Sequence, residues 1–274
     1  MNSTNNVPAL LILFLAFIIM TIPFSAKSEE LTYAEAINKA GRQRMLTQRI
    51  TNLYCQIGLE VAPKKSRQQL QDAINLFSSQ LIALERFSAE QDIIEALDII
   101  KSLWMPFRYL ALSVPLQGKV NQLAGMDEKL LMVNEHLVQL LVSHSGHDVT
   151  RLVNISGRQR MLSQRLAKFY LMKSWVQGSH TINSEIERAT NEFSGALDAL
   201  VQAPENTLLI KEKLESAKSQ WAWFNSSIYL SNDEYFPFIV VDTSEKLLNI
   251  MEKITKTYQK IVIRDSAFGR NQVK

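Results

Sequence analysis

One cysteine, Cys55, occurs in 274 residues, so no disulfide can form within the chain. A lone thiol in an apolar helical setting reads as a small buried hydrophobe, not a reactive group. Glycine and proline are scarce, at 9 and 7, too few for a chain of short strands and tight turns. The formal charge of +3 excludes the strong basic field that would by itself indicate a nucleic-acid partner. After residue 22 no apolar run is long enough to cross a bilayer. Signatures of catalysis are missing too: there is no Ser-His-Asp order, nucleophile elbow, phosphate loop or paired-carboxylate motif, so neither an enzyme nor a cofactor is expected. His144-Ser145-Gly146-His147-Asp148 mimics a metal-ligand spacing but has no nearby Cys or Glu, and no metal site is assigned. His136 and His180 are isolated and read as surface residues.

What the chain does contain is helix-forming sequence, rich in Ala, Leu, Gln, Glu, Lys and Arg. Ahead of it, Ala9 to Ile22 form an uncharged apolar run, shorter than the ~20 residues of a membrane span. Ala26-Lys27-Ser28 fits a cleavage site before Glu29. Residues 1–28 therefore read as a secretory signal peptide and the mature chain as periplasmic. With no Lys or Arg before the run, retention as an uncleaved N-terminal anchor stays open. No cysteine follows the run, which argues against a lipoprotein.

The most informative feature is a repeat. Gly41 to Arg49 reads GRQRMLTQR, and Gly157 to Arg165 reads GRQRMLSQR. The match continues outside the motif: Asn38 falls on Asn154, Tyr54 on Tyr170, and Asn75-Leu76-Phe77-Ser78 on Asn191-Glu192-Phe193-Ser194. After a one-residue slip Trp104 meets Trp221, and Glu128-Lys129-Leu130-Leu131 meets Glu245-Lys246-Leu247-Leu248. The two copies span 32–148 and 149–266, a period long enough to be a domain duplication.

Within each copy the apolar spacing is helical. Leu46, Ile50, Leu53 and Ile57 recur at i, i+4, i+7 and i+11, and Ile155, Leu162, Leu166 and Phe169 follow in the second copy. Breakers near Pro63, Phe87–Ala89 and Pro115–Gly118 divide the first copy into four segments. Asp127 is the expected cap of the fourth, and Pro106 is expected to kink or shorten the third. The second copy breaks near Gly178–Thr181, Ala203–Pro204 and Ser231–Pro237. Thr181 or Asn183 and Asp242 or Thr243 are its expected caps. Only Gly146 weakens the junction between the copies, so a near-continuous helix is expected there. Trp104, Trp221 and Trp223 sit at apolar positions and should pack internally. The expected fold is all-α: two tandem antiparallel four-helix bundles.

On a helical wheel Asn38, Arg42, Met45, Arg49 and Asn52 share a face bordering the apolar stripe, with Gly41 beside them, whereas Arg44 points away. A glycine inside a helix costs roughly 1 kcal/mol relative to alanine, so its recurrence implies close approach by a backbone or ligand. Guanidinium groups present a planar fork of donors suited to small oxyanions. Two such helices facing each other would place like charges ~5 Å apart, repelling by ~3 kcal/mol at an effective dielectric of ~20, and a bound anion would relieve this. The alternative is that the arginines pair with glutamates of neighbouring helices and serve only packing.

Ile37-Asn38-Lys39-Ala40-Gly41, followed by Arg44-Met45 and Arg49, resembles the P-box of the NarX-like sensor domain, found also in PilJ-type chemotaxis transducers of type IV pili. GRQRMLSQR in the second copy is especially similar to the PilJ-type form. The resemblance implies a periplasmic four-helix bundle whose nitrate-sensing members hold the anion between the first helices of two bundles. Carried over by position, it implies that Asn38, Gly41, Arg44 and Arg49 line a site in copy one, and Asn154, Gly157, Arg160 and Arg165 in copy two. Copy two departs at Ile155 and Ser156, and Arg42-Gln43 differs from the nitrate sensors. No transmembrane helix or signalling region of the kind that usually follows in the family is expected within residues 1–274. The resemblance thus implies a periplasmic sensor of a small, nitrate- or nitrite-like anion that relays occupancy to a membrane-bound sensor or transducer. Where the family pairs bundles by forming a homodimer, two copies in one chain could meet within the molecule. A non-catalytic structural or adaptor protein of the cell envelope is the rival reading.

Overall fold

Thr32 starts the first helix by a reciprocal cap: its side chain accepts from the Glu35 amide while the Glu35 carboxylate accepts from the Thr32 amide at 2.8 Å. The computed structural model describes residues 31–87, 90–146, 150–176, 180–229 and 236–272, except for the side chains of residues 180 and 265–272. The signal segment 1–28 lies outside these residues, as do His147 and Asp148. Among them there are eight helices and no strand: α1 (Tyr33–Gly58), α2 (Pro63–Glu85), α3 (Gln91–Ala111), α4 (Gln117–Ser145), α5 (Thr150–Trp175), α6 (His180–Val201), α7 (Leu208–Tyr229) and α8 (Phe236–Gln272). No described helix is long and apolar enough to cross a membrane.

Helix α1 packs on α2 and α4, and α3 on α4; α5 packs on α6 and α8, and α7 on α8. The most extensive packing of all joins the two sets, between α1 and α5. Each set has an aromatic stack in the same place. Trp104 stacks on Phe77 with ring centres 3.9 Å apart, and Trp221 on Phe193 at 4.1 Å. Trp223, expected inside, is exposed on α7. It lies two residues from Trp221, about 200° round the helix, so both rings cannot face inward.

Because they are enclosed on several sides, α1 and α5 are buried almost all round. Gln43, Arg44, Thr47, Gln48 and Asn52 are as inaccessible as Leu46, Ile50 and Leu53. In α5 the same holds for Gln159, Arg160, Ser163, Gln164 and Lys168. Cross-contacts run Arg160 to Asn38, Arg165 to Gln48 and Asn52 to Gln164, so the two helices are parallel and in register.

Several expected boundaries shift. Helix α4 begins ten residues before Asp127, and that carboxylate is no cap: it is buried within the helix and bonded to Lys168. Asp242 and Thr243 lie inside α8, and Thr181 and Asn183 inside α6. Helix α3 runs through Pro106 to Ala111. No continuous helix joins α4 to α5, because Gly146 takes the left-handed conformation (φ 64°) that ends α4.

Candidate functional site

The α1–α5 contact is built around two helical glycines and two arginines. A Cβ on Gly41 would lie 3.3 Å from Arg44 Nη2 and 3.5 Å from Arg160 Nη2. On Gly157 it would lie 3.1 Å from Arg160 Nη2 and 3.7 Å from Arg44 Nη2. The missing side chains therefore admit two guanidinium groups side by side. Both arginines are 0% exposed, which corrects the helical-wheel expectation that Arg44 and its counterpart point away. That expectation assumed a single packing face, whereas α1 is covered on its α4 and α5 sides at once.

Each guanidinium is partly neutralised. Arg44 Nη1 donates to Glu135 Oε2 at 2.6 Å, and Nη2 donates to Asn154 Oδ1 at 2.8 Å. Arg160 donates to Glu252, and its Nη2 to the Asn38 carbonyl at 3.4 Å. The same glutamates bind a second arginine from across the interface: Arg158 on Glu135 at 2.6 Å and Arg42 on Glu252. Burial would push the Glu252 carboxyl up, but Arg160 and Arg42 outweigh it and hold the group at about 2. Burial, opposed by Glu252, lowers Arg160 to about 10, and Arg44 is lowered for the same reason against Glu135. Two donors are left over. Nε of Arg44 and Nε of Arg160 are buried without a hydrogen-bond partner among the described residues, as is Asn38 Oδ1.

Of the residues the sequence singled out, Asn38, Gly41, Arg44, Asn154, Gly157 and Arg160 converge here. Arg49 and Arg165 do not. They form a separate layer further along the same helices, Arg49 paired with Glu245 and bonded to Gln164, Arg165 paired with Glu128 at 2.6 Å and with Glu185 at 2.7 Å. All six arginines of the two motifs thus have carboxylate partners. Sequence reasoning missed Glu135 and Glu252. A signal was available, since each lies seven residues beyond a glutamate of the matched Glu-Lys-Leu-Leu pair and so on the same helical face.

No group of His, Cys, Asp and Glu suited to a metal ion occurs among the described residues. His144 instead meets Asp92 at 3.0 Å.

Residues 27–126 match the family model described as the N-terminal region of type IV pili methyl-accepting chemotaxis transducers, PilJ. This span includes α1 to α3, the start of α4 and the first motif copy. The family is a sensory one. No curated protein and no solved structure matches the chain.

Proposed function

We propose that this chain, with its PilJ-type transducer domain at residues 27–126, is a periplasmic sensory protein that takes a small oxyanion of the nitrate or nitrite class between α1 and α5. It relays occupancy to a membrane-bound partner and has no catalytic role. The observation that carries the reading is the pair of fully buried guanidinium groups at Gly41 and Gly157, each with an unpartnered Nε. A small planar anion accepts from such donors and offsets the repulsion between the cations. Asn38 and Asn154 orient the arginines from the opposite helix, and Arg49 and Arg165 hold the two helices together beyond the site.

Relay follows from competition. An anion on Arg44 and Arg160 draws on the same guanidinium groups that hold Glu135 of α4 and Glu252 of α8. Binding would weaken those two ion pairs together and change how α4 and α8 are held against α1 and α5. A ligand with different affinity for the two arrangements shifts their populations. The two copies, 32–148 and 149–266, act on this reading as paired sensor bundles exported behind the segment 1–28.

A specific observation favours the rival. With a carboxylate already on every motif arginine, the cluster could be pure packing within an envelope adaptor. Calorimetric titration with nitrate, nitrite and related oxyanions separates the two. The sensor binds at least one of them with one site per chain, and Arg49→Ala keeps that site if its fold is intact. An adaptor binds none.

A further inference from the structure

The two halves, α1–α4 and α5–α8, offer each other the same arginine–glutamate contacts, although Asn38 on Gln259 has no counterpart because Val142 stands at the matching position. Arg49 on Glu245 is answered by Arg165 on Glu128, and Arg42 on Glu252 by Arg158 on Glu135. Because both halves carry these residues, any pairing of halves would satisfy them, including two first halves or two second halves from different chains. One turn further along, the symmetry breaks. Lys168 of α5 and Asp127 of α4 are both 0% exposed and form an ion pair, with Nζ 3.0 Å from Oδ1. Glu128 lies 2.8 Å from the same Nζ, and the Gln48 amide donates to Asp127 at 3.2 Å. In the sequence match the corresponding positions are Asn52 and Ser244, both buried and both neutral.

We infer that the Asp127–Lys168 pair is a pairing-specificity element: it makes each half of the chain fit the other half and reject a second copy of itself. In the observed arrangement one position holds a matched ion pair and its counterpart holds two neutral groups. Two first halves together would instead bury Asp127 against Asn52 twice, with no cation for either carboxylate. Two second halves would bury Lys168 against Ser244 twice. Uncompensated buried charge is strongly unfavourable, whereas a matched buried pair adds little net stability over neutral residues of similar size. The difference between right and wrong partners is therefore far larger than the contribution to stability, which is the signature of discrimination. The partner surface that α1 needs is built into the same chain. This rests on the contacts between the halves and stands whether or not an anion binds.

The test uses the full chain with a protease site placed between Gly146 and Thr150, cut after folding. The two pieces are separated in denaturant and allowed to reassociate, and native mass spectrometry counts mixed and like pairs. The unsubstituted chain should re-form mixed pairs over like pairs by roughly tenfold or more. Asp127→Ser with Lys168→Asn removes the discrimination by neutralising it, and Asn52→Lys with Ser244→Asp removes it by making every pairing complementary. Both variants should fall towards a random distribution. Random reassociation of the unsubstituted pieces, or unchanged selectivity in both variants, would overturn the inference. In the uncut chain Asp127→Ser and Lys168→Asn should each lower the unfolding midpoint, and the double substitution should recover most of the loss. A double variant as unstable as the two single losses combined would also overturn it.

Discussion

Arg44 and Arg160, one on each central helix, bring their Nη2 atoms within 4 Å of the same two points, the Cβ positions of Gly41 and Gly157. Two buried cations in such proximity are unfavourable unless something anionic is near. Glu135 and Glu252 supply part of that charge, each shared with a further arginine. The remaining donor capacity is the proposed ligand site.

Substituting alanine at Gly41 and Gly157 should separate stability from binding. Alanine favours a helix by roughly 1 kcal/mol per site over glycine, but the added methyl meets guanidinium nitrogens at 3.3 Å and 3.1 Å. The double variant should stay folded, its gain in helix propensity offset by displacement of the two guanidinium groups, while anion affinity falls by about tenfold or more.

Removing one of the two fully buried arginines should be more damaging than removing the partly exposed Arg42, which shares Glu252 with Arg160. Arg160→Ala leaves Glu252 without its fully buried partner, and Arg44→Ala does the same to Glu135. Arg42 stays on Glu252 and Arg158 on Glu135, so each should cost about 1–3 kcal/mol in chemical denaturation, chiefly through lost packing and the lost buried ion pair. Arg42→Ala, whose partner keeps Arg160, should cost clearly less.

Acid should destabilise the fold in a defined window. With its carboxyl held at about 2 by Arg160 and Arg42 against burial, Glu252 binds its proton more readily unfolded, from its ordinary value of 4.5, than folded. Its contribution is therefore complete above about pH 5 and is lost as pH falls towards 2. Unfolding free energy measured across that range should drop more steeply in the parent than in Glu252→Gln.

Cys55 should be inert in the native protein. Burial pushes its thiol up to about 12 and no solvent reaches it. A thiol reagent should label it only in step with global unfolding, and labelling of the native chain at neutral pH would show that α1 opens locally.

How much of this was legible in the sequence depended on range. Helical spacing, the repeat and the grouping of glycine, asparagine and arginine are local patterns, and the resemblance at Ile37–Gly41 pointed to the family that residues 27–126 match. The placement of Arg44 was not legible, because a helical wheel presumes one buried face and α1 is enclosed nearly all round. Asp127 looked like a helix cap because its partner, Lys168, lies 41 residues away. Pro106 looked like a breaker, yet α3 passes through it with its outer side in solvent. In each case a contact distant in the chain, or the depth of burial, decided the outcome.

The anion site stands or falls on isothermal titration of the native chain and the Gly41→Ala/Gly157→Ala variant with nitrate, nitrite and related oxyanions. Saturable binding of at least one of these anions, one per chain, is expected, with its loss in the variant while the helical fold stays intact. No heat of binding from any of them with a folded native chain, or equal binding by the variant, would contradict it.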